Sequence, residues 1–138
     1  MSEGAPQRAV ARRVDGYTHE LTIRDHTLTA DEPADTGGKD RGPTPRELLS
    51  AALASCTAIT IEMYADRKGW DLGEVEVTAE FTPGPRGDAD SFEVTIRIPG
   101  PLTEEQTQRI MVIAGKCPVH RSLARESPIE IVDRIVPV

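Results

Sequence analysis

Cysteine is scarce in this chain, with two among 138 residues, Cys56 and Cys117. That is too few to staple a small secreted scaffold, so a reducing cytoplasm is the expected compartment. Positive charge is also in deficit: sixteen Lys and Arg stand against twenty-three Asp and Glu, a net charge of −7. So acidic a composition argues against nucleic acid or anionic membrane as partner, because both require a basic face. Long, clean apolar runs are missing too, and no membrane-spanning segment is expected. Met1 to Val14 holds Arg8, Arg12 and Arg13 but no hydrophobic signal core, so nothing there marks the chain for export. Internal repeats and low-complexity tracts are absent. The length fits one domain over 1–138 with one core, residues 1–14 being a partly flexible N-terminal segment.

What is present alternates. Tyr17, His19, Leu21 and Ile23 share one strand face, opposite Thr18, Glu20, Thr22 and Arg24. A short strand over His26–Ala30 follows a turn at Asp25. Val75, Val77, Ala79 and Phe81 alternate with acids and Thr78, and Phe92, Val94, Ile96 and Ile98 repeat the pattern, with Thr82–Asp90 joining the two as a hairpin. A last strand fits Ile129–Val136. Period-two segments of this kind suit antiparallel sheets covered on one face.

Two segments have helical spacing. Asp31–Pro43 is dense in Gly, Pro and Asp and must be loop. Thr44-Pro45-Arg46-Glu47 then reads as a helix start, with Thr44 as N-cap, Pro45 in the first turn and Glu47 closing a capping box. The run to Tyr64 is apolar almost all round, which predicts a buried helix ending near Gly69. A second helix opens at Thr103 with Gln106 three residues on, runs to about Lys116, and buries Ile110, Ile113 and Ala114. The order of elements predicts an α+β domain.

Both cysteines fall on faces these helices are expected to bury. Leu49, Leu53, Cys56, Ile59 and Met63 follow one stripe, and Cys117 continues the apolar face of the second helix. Each alone reads as a small core hydrophobe. Together they could meet and do redox chemistry. If Pro118–Leu123 forms a short helix, Cys117 sits at its N-terminus, where the backbone dipole favours an anion. Cys56, in mid-helix, needs a cation or donors from elsewhere, and an arginine is the natural supply. Cys117-Pro118-Val119-His120 also has the spacing of half a zinc site, which Cys56 and His19 or His26 could complete. Structural zinc uses tightly spaced ligand pairs, and Cys56 has no near neighbour of that kind, so no metal is expected. His120 reads as a surface or turn residue, His19 and His26 as sheet residues.

Gly37-Gly38, then Gly42-Pro43-Thr44-Pro45-Arg46-Glu47-Leu48-Leu49 and Ala51-Ala52-Leu53-Ala54-Ser55-Cys56, and downstream Ala114-Gly115-Lys116-Cys117-Pro118-Val119-His120, resemble the two signatures of the OsmC/Ohr family. These are the osmotically inducible and organic hydroperoxide resistance proteins. The resemblance runs from about Tyr17 onward. It implies an OsmC-like fold, antiparallel sheets wrapped around two central helices in an intertwined homodimer. It also implies a cysteine-based peroxidase for organic hydroperoxides, with Cys56 as the peroxidatic and Cys117 as the resolving thiol. A dithiol reductant of lipoyl type is implied as partner, with no metal or organic cofactor. The family's activating arginine matches Arg13 best, with Arg12 and Arg46 as alternatives. Its carboxylate follows the helix-opening proline directly; here Arg46 holds that place and Glu47 comes one residue, about 100° of helix, later. Glu47 is thus a candidate for either the catalytic carboxylate or the cap. A non-catalytic dimer binding a small hydrophobic or thiol ligand in the cysteine cleft is the alternative activity.

Overall fold

Backbone hydrogen bonding sorts the chain into five strands and three α-helices in the computed structural model, which describes residues 4–86, 89–126 and 129–137. The chain divides into two compact units, 1–49 and 50–138.

In the first unit β1 (Val10–Asp15), β2 (Thr18–Ile23) and β3 (His26–Ala30) form an antiparallel sheet in that order. Arg12 lies opposite Glu20, and His19 opposite Ala30. The second and third strands are those expected. The first is an addition: all six of its residues are exposed, so it carries no buried face for the sequence pattern to report. Its ladder with β2 holds it instead. His19, Leu21 and Ile23 are half-buried as the alternation expects, and the departure is at the start of β2. Tyr17 is exposed, whereas Thr18 is buried because its hydroxyl donates to the Asp31 carboxylate at 2.6 Å. Asp31 further accepts from the backbone N–H groups of Glu32 (2.7 Å), Arg41 (3.1 Å) and, more weakly, Lys39 (3.5 Å).

That carboxylate gathers the loop after β3 into one compact turn. Burial opposes its charge, but the Thr18 hydroxyl and the three amides win, holding its pKa down to about 2. Gly38 and Gly42 complete the loop by close approach. A Cβ at Gly38 would lie 1.8 Å from the Glu32 carbonyl oxygen, and one at Gly42 2.4 Å from that of Thr29. Only glycine fits at either place. The loop delivers the chain to α1 (Pro45–Lys68), whose capping box is formed as expected: Thr44 N–H donates to Glu47 Oε1 at 2.8 Å, and Glu47 N–H to Thr44 Oγ1 at 3.1 Å.

The second unit holds most of α1, a hairpin of β4 (Glu76–Thr82) and β5 (Ser91–Arg97), α2 (Glu104–Ala114) and α3 (Pro118–Leu123). The hairpin pairs Phe81 with Phe92, whose rings meet edge to face at 5.1 Å. Residues 87–88 of the expected turn lie outside the described residues. The half-buried positions of both strands are the apolar ones predicted by alternation. Ile61, Ala65, Leu72, Ile110 and Ala114 form the core, with Trp70, Val75, Ile96, Ile98 and Leu102 packed on it. Thr103 caps α2 in a reciprocal box with Gln106, again as expected.

Three expectations need correction. First, α1 buries Leu53, Thr57, Ile61, Tyr64 and Ala65, so that of the expected stripe Leu53 alone is buried and Cys56 is half-buried. Leu49, Ile59 and Met63 are 38%, 52% and 62% exposed. A helix apolar all round has more than one face to cover, and in a single chain only one is covered. Second, Ile129–Val136 forms no strand; Ile131, Val132 and Ile135 are exposed, and alternation alone builds no ladder unless the segment pairs with a sheet edge. Third, α1 is long and apolar enough, by length and composition, to cross a membrane, although 28% of its apolar window is buried within the protein. Core helices of globular proteins meet the same test.

Candidate active site

Pro118 ends the backbone path from α2 and starts α3, leaving Cys117 as the N-cap of that short helix. The cap is functional in the hydrogen-bonding sense: His120 N–H donates to Cys117 Sγ at 3.5 Å, and Arg121 N–H to the Cys117 carbonyl at 3.0 Å. Cys117 is wholly buried. Its thiol reaches across to α1 and interacts with the Cys56 thiol, so two residues distant in sequence meet in the second unit. Both are free thiols.

Cys56 is half-buried. The Val119 amide at the start of α3 and the Thr60 hydroxyl one helical turn on both act on its sulfur and lower its pKa. The start of α3 thus acts on both sulfurs. These two donors favour the Cys56 thiolate, yet they lose. Burial first, then the hydrogen bond from Cys56 to Cys117 and the charge repulsion that a second thiolate would bring, push the Cys56 thiol up from its ordinary value.

The other expected site residues belong to the first unit. Arg13 is exposed on β1, its Nε–H donating to the Gly16 carbonyl at 2.8 Å. Arg12 is its neighbour on the same strand, and Arg46 lies in the first turn of α1. Glu47 is occupied in the capping box. The structure therefore brings together Cys56 and Cys117 from the sequence-derived set. It adds Thr60, the Val119 amide and two buried polar atoms beside the cysteines, Thr57 Oγ1 and His120 Nδ1, which lack hydrogen-bond partners among the described residues. Thr60 could have been found from its i+4 spacing to Cys56; the amide of Val119 carries no sequence signal at all.

For the zinc arrangement, no group of three or more His, Cys, Asp and Glu side chains placed to hold a metal occurs among the described residues. His19 uses Nδ1 against the Tyr17 carbonyl at 2.9 Å, and His26 Nε2 faces Arg24 at 3.3 Å.

A family model described as OsmC-like protein matches residues 37–132. No curated protein matches the sequence. Among solved structures, an organic hydroperoxide resistance protein from Elizabethkingia anophelis is 23% identical, with 94% of each chain covered and a TM-score of 0.64. An organic hydroperoxide resistance protein OsmC from Legionella pneumophila is 22% identical, covering 85% of this chain and 89% of its own, at a TM-score of 0.61. An OsmC-like protein from Mycoplasma pneumoniae is 19% identical over 88% of this chain and 89% of its own, at 0.66. The α+β arrangement with antiparallel sheets is the fold these structures share with the chain.

Proposed function

Because this chain belongs to the family of OsmC-like proteins, we propose that it is a thiol-dependent peroxidase for organic hydroperoxides. One observation carries the reading: a half-buried thiol, Cys56, next to a wholly buried one, Cys117, that acts on it. In this reading the half-buried thiol meets substrate and the buried one meets its neighbour. In the proposed cycle the Cys56 thiolate attacks the peroxide O–O bond. That bond breaks, the alkoxide leaves and takes a proton as the alcohol, and Cys56 becomes a sulfenic acid. Cys117 displaces water from it, forming the Cys56–Cys117 disulfide. An external dithiol of lipoyl type then reduces the disulfide by exchange and is itself oxidised. Names among the structural relatives support the substrate class, since two are organic hydroperoxide resistance proteins.

The cycle needs more thiolate than the donors seen at Cys56 provide. We assign that task to a guanidinium, Arg13 first, with Arg12 and Arg46 as alternatives; Glu47 would steady it with the carboxylate oxygen left over from capping. The exposed stripe of Ile59 and Met63 on α1 and the exposed Ile131, Val132 and Ile135 support a homodimer that covers them. The family match crosses residues 49 and 50, which supports treating 1–138 as one functional domain. A cytoplasmic setting would keep both thiols reduced between turnovers.

The raised Cys56 thiol favours one other reading, a dimer that holds a small hydrophobic or thiol-bearing ligand at the cysteines without turnover. Steady-state assays separate the two. Peroxidase function requires cumene hydroperoxide consumption driven by dihydrolipoamide, abolished in Cys56→Ser and reduced in Arg13→Ala. Slow consumption unaffected by dihydrolipoamide would instead support the ligand-binding protein.

A further inference from the structure

Two turns beyond Cys56, about 12 Å along α1, lies a cleft of ≈ 720 Å³ whose walls include Tyr64, Lys68, Trp70, Glu105, Arg109 and Val112. Its floor is Tyr64. The backbone N–H of Trp70 donates back to the Ala65 carbonyl at 2.9 Å, and the indole meets the phenol with centroids 5.5 Å apart and planes 74° apart. Arg109 Nε–H donates to Tyr64 Oη at 3.0 Å, and its guanidinium carbon lies 5.8 Å from the ring centroid. Lys68 Nζ approaches the same ring to 5.6 Å. One aromatic ring is thus flanked by two cations, and the Arg109 hydrogen bond first, then the charges of Arg109 and Lys68, lower the Tyr64 hydroxyl pKa.

In a chain with a net charge of −7, cations usually find carboxylates. Among the described residues neither Lys68 nor Arg109 has an ion-pair partner, even though Glu105 stands one helical turn before Arg109. The bond from Nε to Tyr64 fixes the guanidinium plane and leaves its two Nη groups for another acceptor. That is the geometry that receives a carboxylate in a forked pair. The charged groups of the walls sum to one net positive charge, which suits a monoanion better than a polyphosphate. Trp70 and Val112 offer apolar surface that a bare inorganic anion would leave wet. The volume lies within the range of small-molecule sites.

We propose that this cleft binds a flat organic monocarboxylate, its carboxylate on Arg109 and Lys68 and its planar apolar body against Trp70 and Val112. The site is separate from the thiols and stands whether or not they turn over peroxide.

Trp70 is the only tryptophan in the chain, so its fluorescence reports on the cleft directly. The full-length protein is titrated with benzoate, with benzyl alcohol, which keeps the ring and loses the charge, and with inorganic phosphate, which keeps charge and loses the ring. The proposal requires a saturable change with benzoate and affinities about tenfold weaker for either control, the difference expected from losing one charged hydrogen-bonded contact or the apolar one. Lys68→Gln, which leaves the Arg109–Tyr64 bond in place, should weaken benzoate about tenfold. Arg109→Gln should weaken it at least as much, with the circular dichroism of both variants unchanged. No saturable response to benzoate, equal response to benzyl alcohol or phosphate, or full benzoate affinity in a folded Lys68→Gln protein would each overturn it.

Discussion

At Cys56 opposing contributions can be removed one at a time. The Cys117 thiol raises its pKa and the Thr60 hydroxyl lowers it. Cys117→Ala should therefore move the pH profile of Cys56 alkylation by iodoacetamide to lower pH, and Thr60→Ala should move it higher. Below the pKa the rate follows the thiolate fraction, so a profile displaced by about one pH unit means a rate changed about tenfold at fixed pH. Profiles that move together, or not at all, would show that the two residues do not act on the sulfur. Asp31 gives a second single-residue test, through stability. Its folded pKa is lowered to about 2, whereas an unfolded aspartate titrates near ~3.9. Its contribution is thus complete above the unfolded value and drains away as pH falls toward the folded one. In urea unfolding, Asp31→Asn should be less stable than the parent at pH ~6, with the gap narrowing by pH ~3. The first effect has a trace in the sequence, the i+4 spacing of Thr60 to Cys56, but the second has none. Asp31 reads there as one more loop acid, and no spacing says that Thr18 and three amides converge on it.

Among elements, the helices are the readable part because their signals are local. Thr44 with Glu47 and Thr103 with Gln106 announce their own hydrogen bonds, and both boxes form. Thr103→Ala, which strips the box from α2, should cost about 1 kcal/mol in chemical denaturation. Ile61→Ala, at the fully buried centre of the core, should cost roughly 2–5 kcal/mol. A smaller loss at Ile61 than at Thr103 would contradict the assigned core. Strands depend on partners that the sequence does not identify. β1 lacks a buried face and leaves no pattern to read, while Ile129–Val136 has the alternation of a strand but none forms there. The same blindness affects α1. Its apolar residues run all round, so spacing cannot decide which arc the core takes, and the arc taken excludes Ile59 and Met63.

For the whole molecule, uncovered apolar surface is the main feature to be explained. Ile59 and Met63 lie one turn apart on α1 and line the side of the helix next to Cys56. If a second copy covers that stripe, light scattering should give twice the 15.0 kDa mass of the chain. Ile59→Asp with Met63→Asp should reduce it to a single chain and lower peroxidase turnover. A parent protein that stays monomeric at all concentrations would remove the dimer. At this scale the glycine-rich loop and the two cysteine segments are the most informative part of the sequence. They point to the family through chemistry and close packing, whereas which arginine would serve the thiolate is not written in their spacing.

The most direct measurement is peptide mass mapping of the two cysteines before and after one equivalent of cumene hydroperoxide. The proposed cycle requires a Cys56–Cys117 cross-link in the parent protein and a trapped Cys56 sulfenic acid in Cys117→Ser. Two unmodified thiols after exposure, or oxidation that falls first on Cys117, would contradict it.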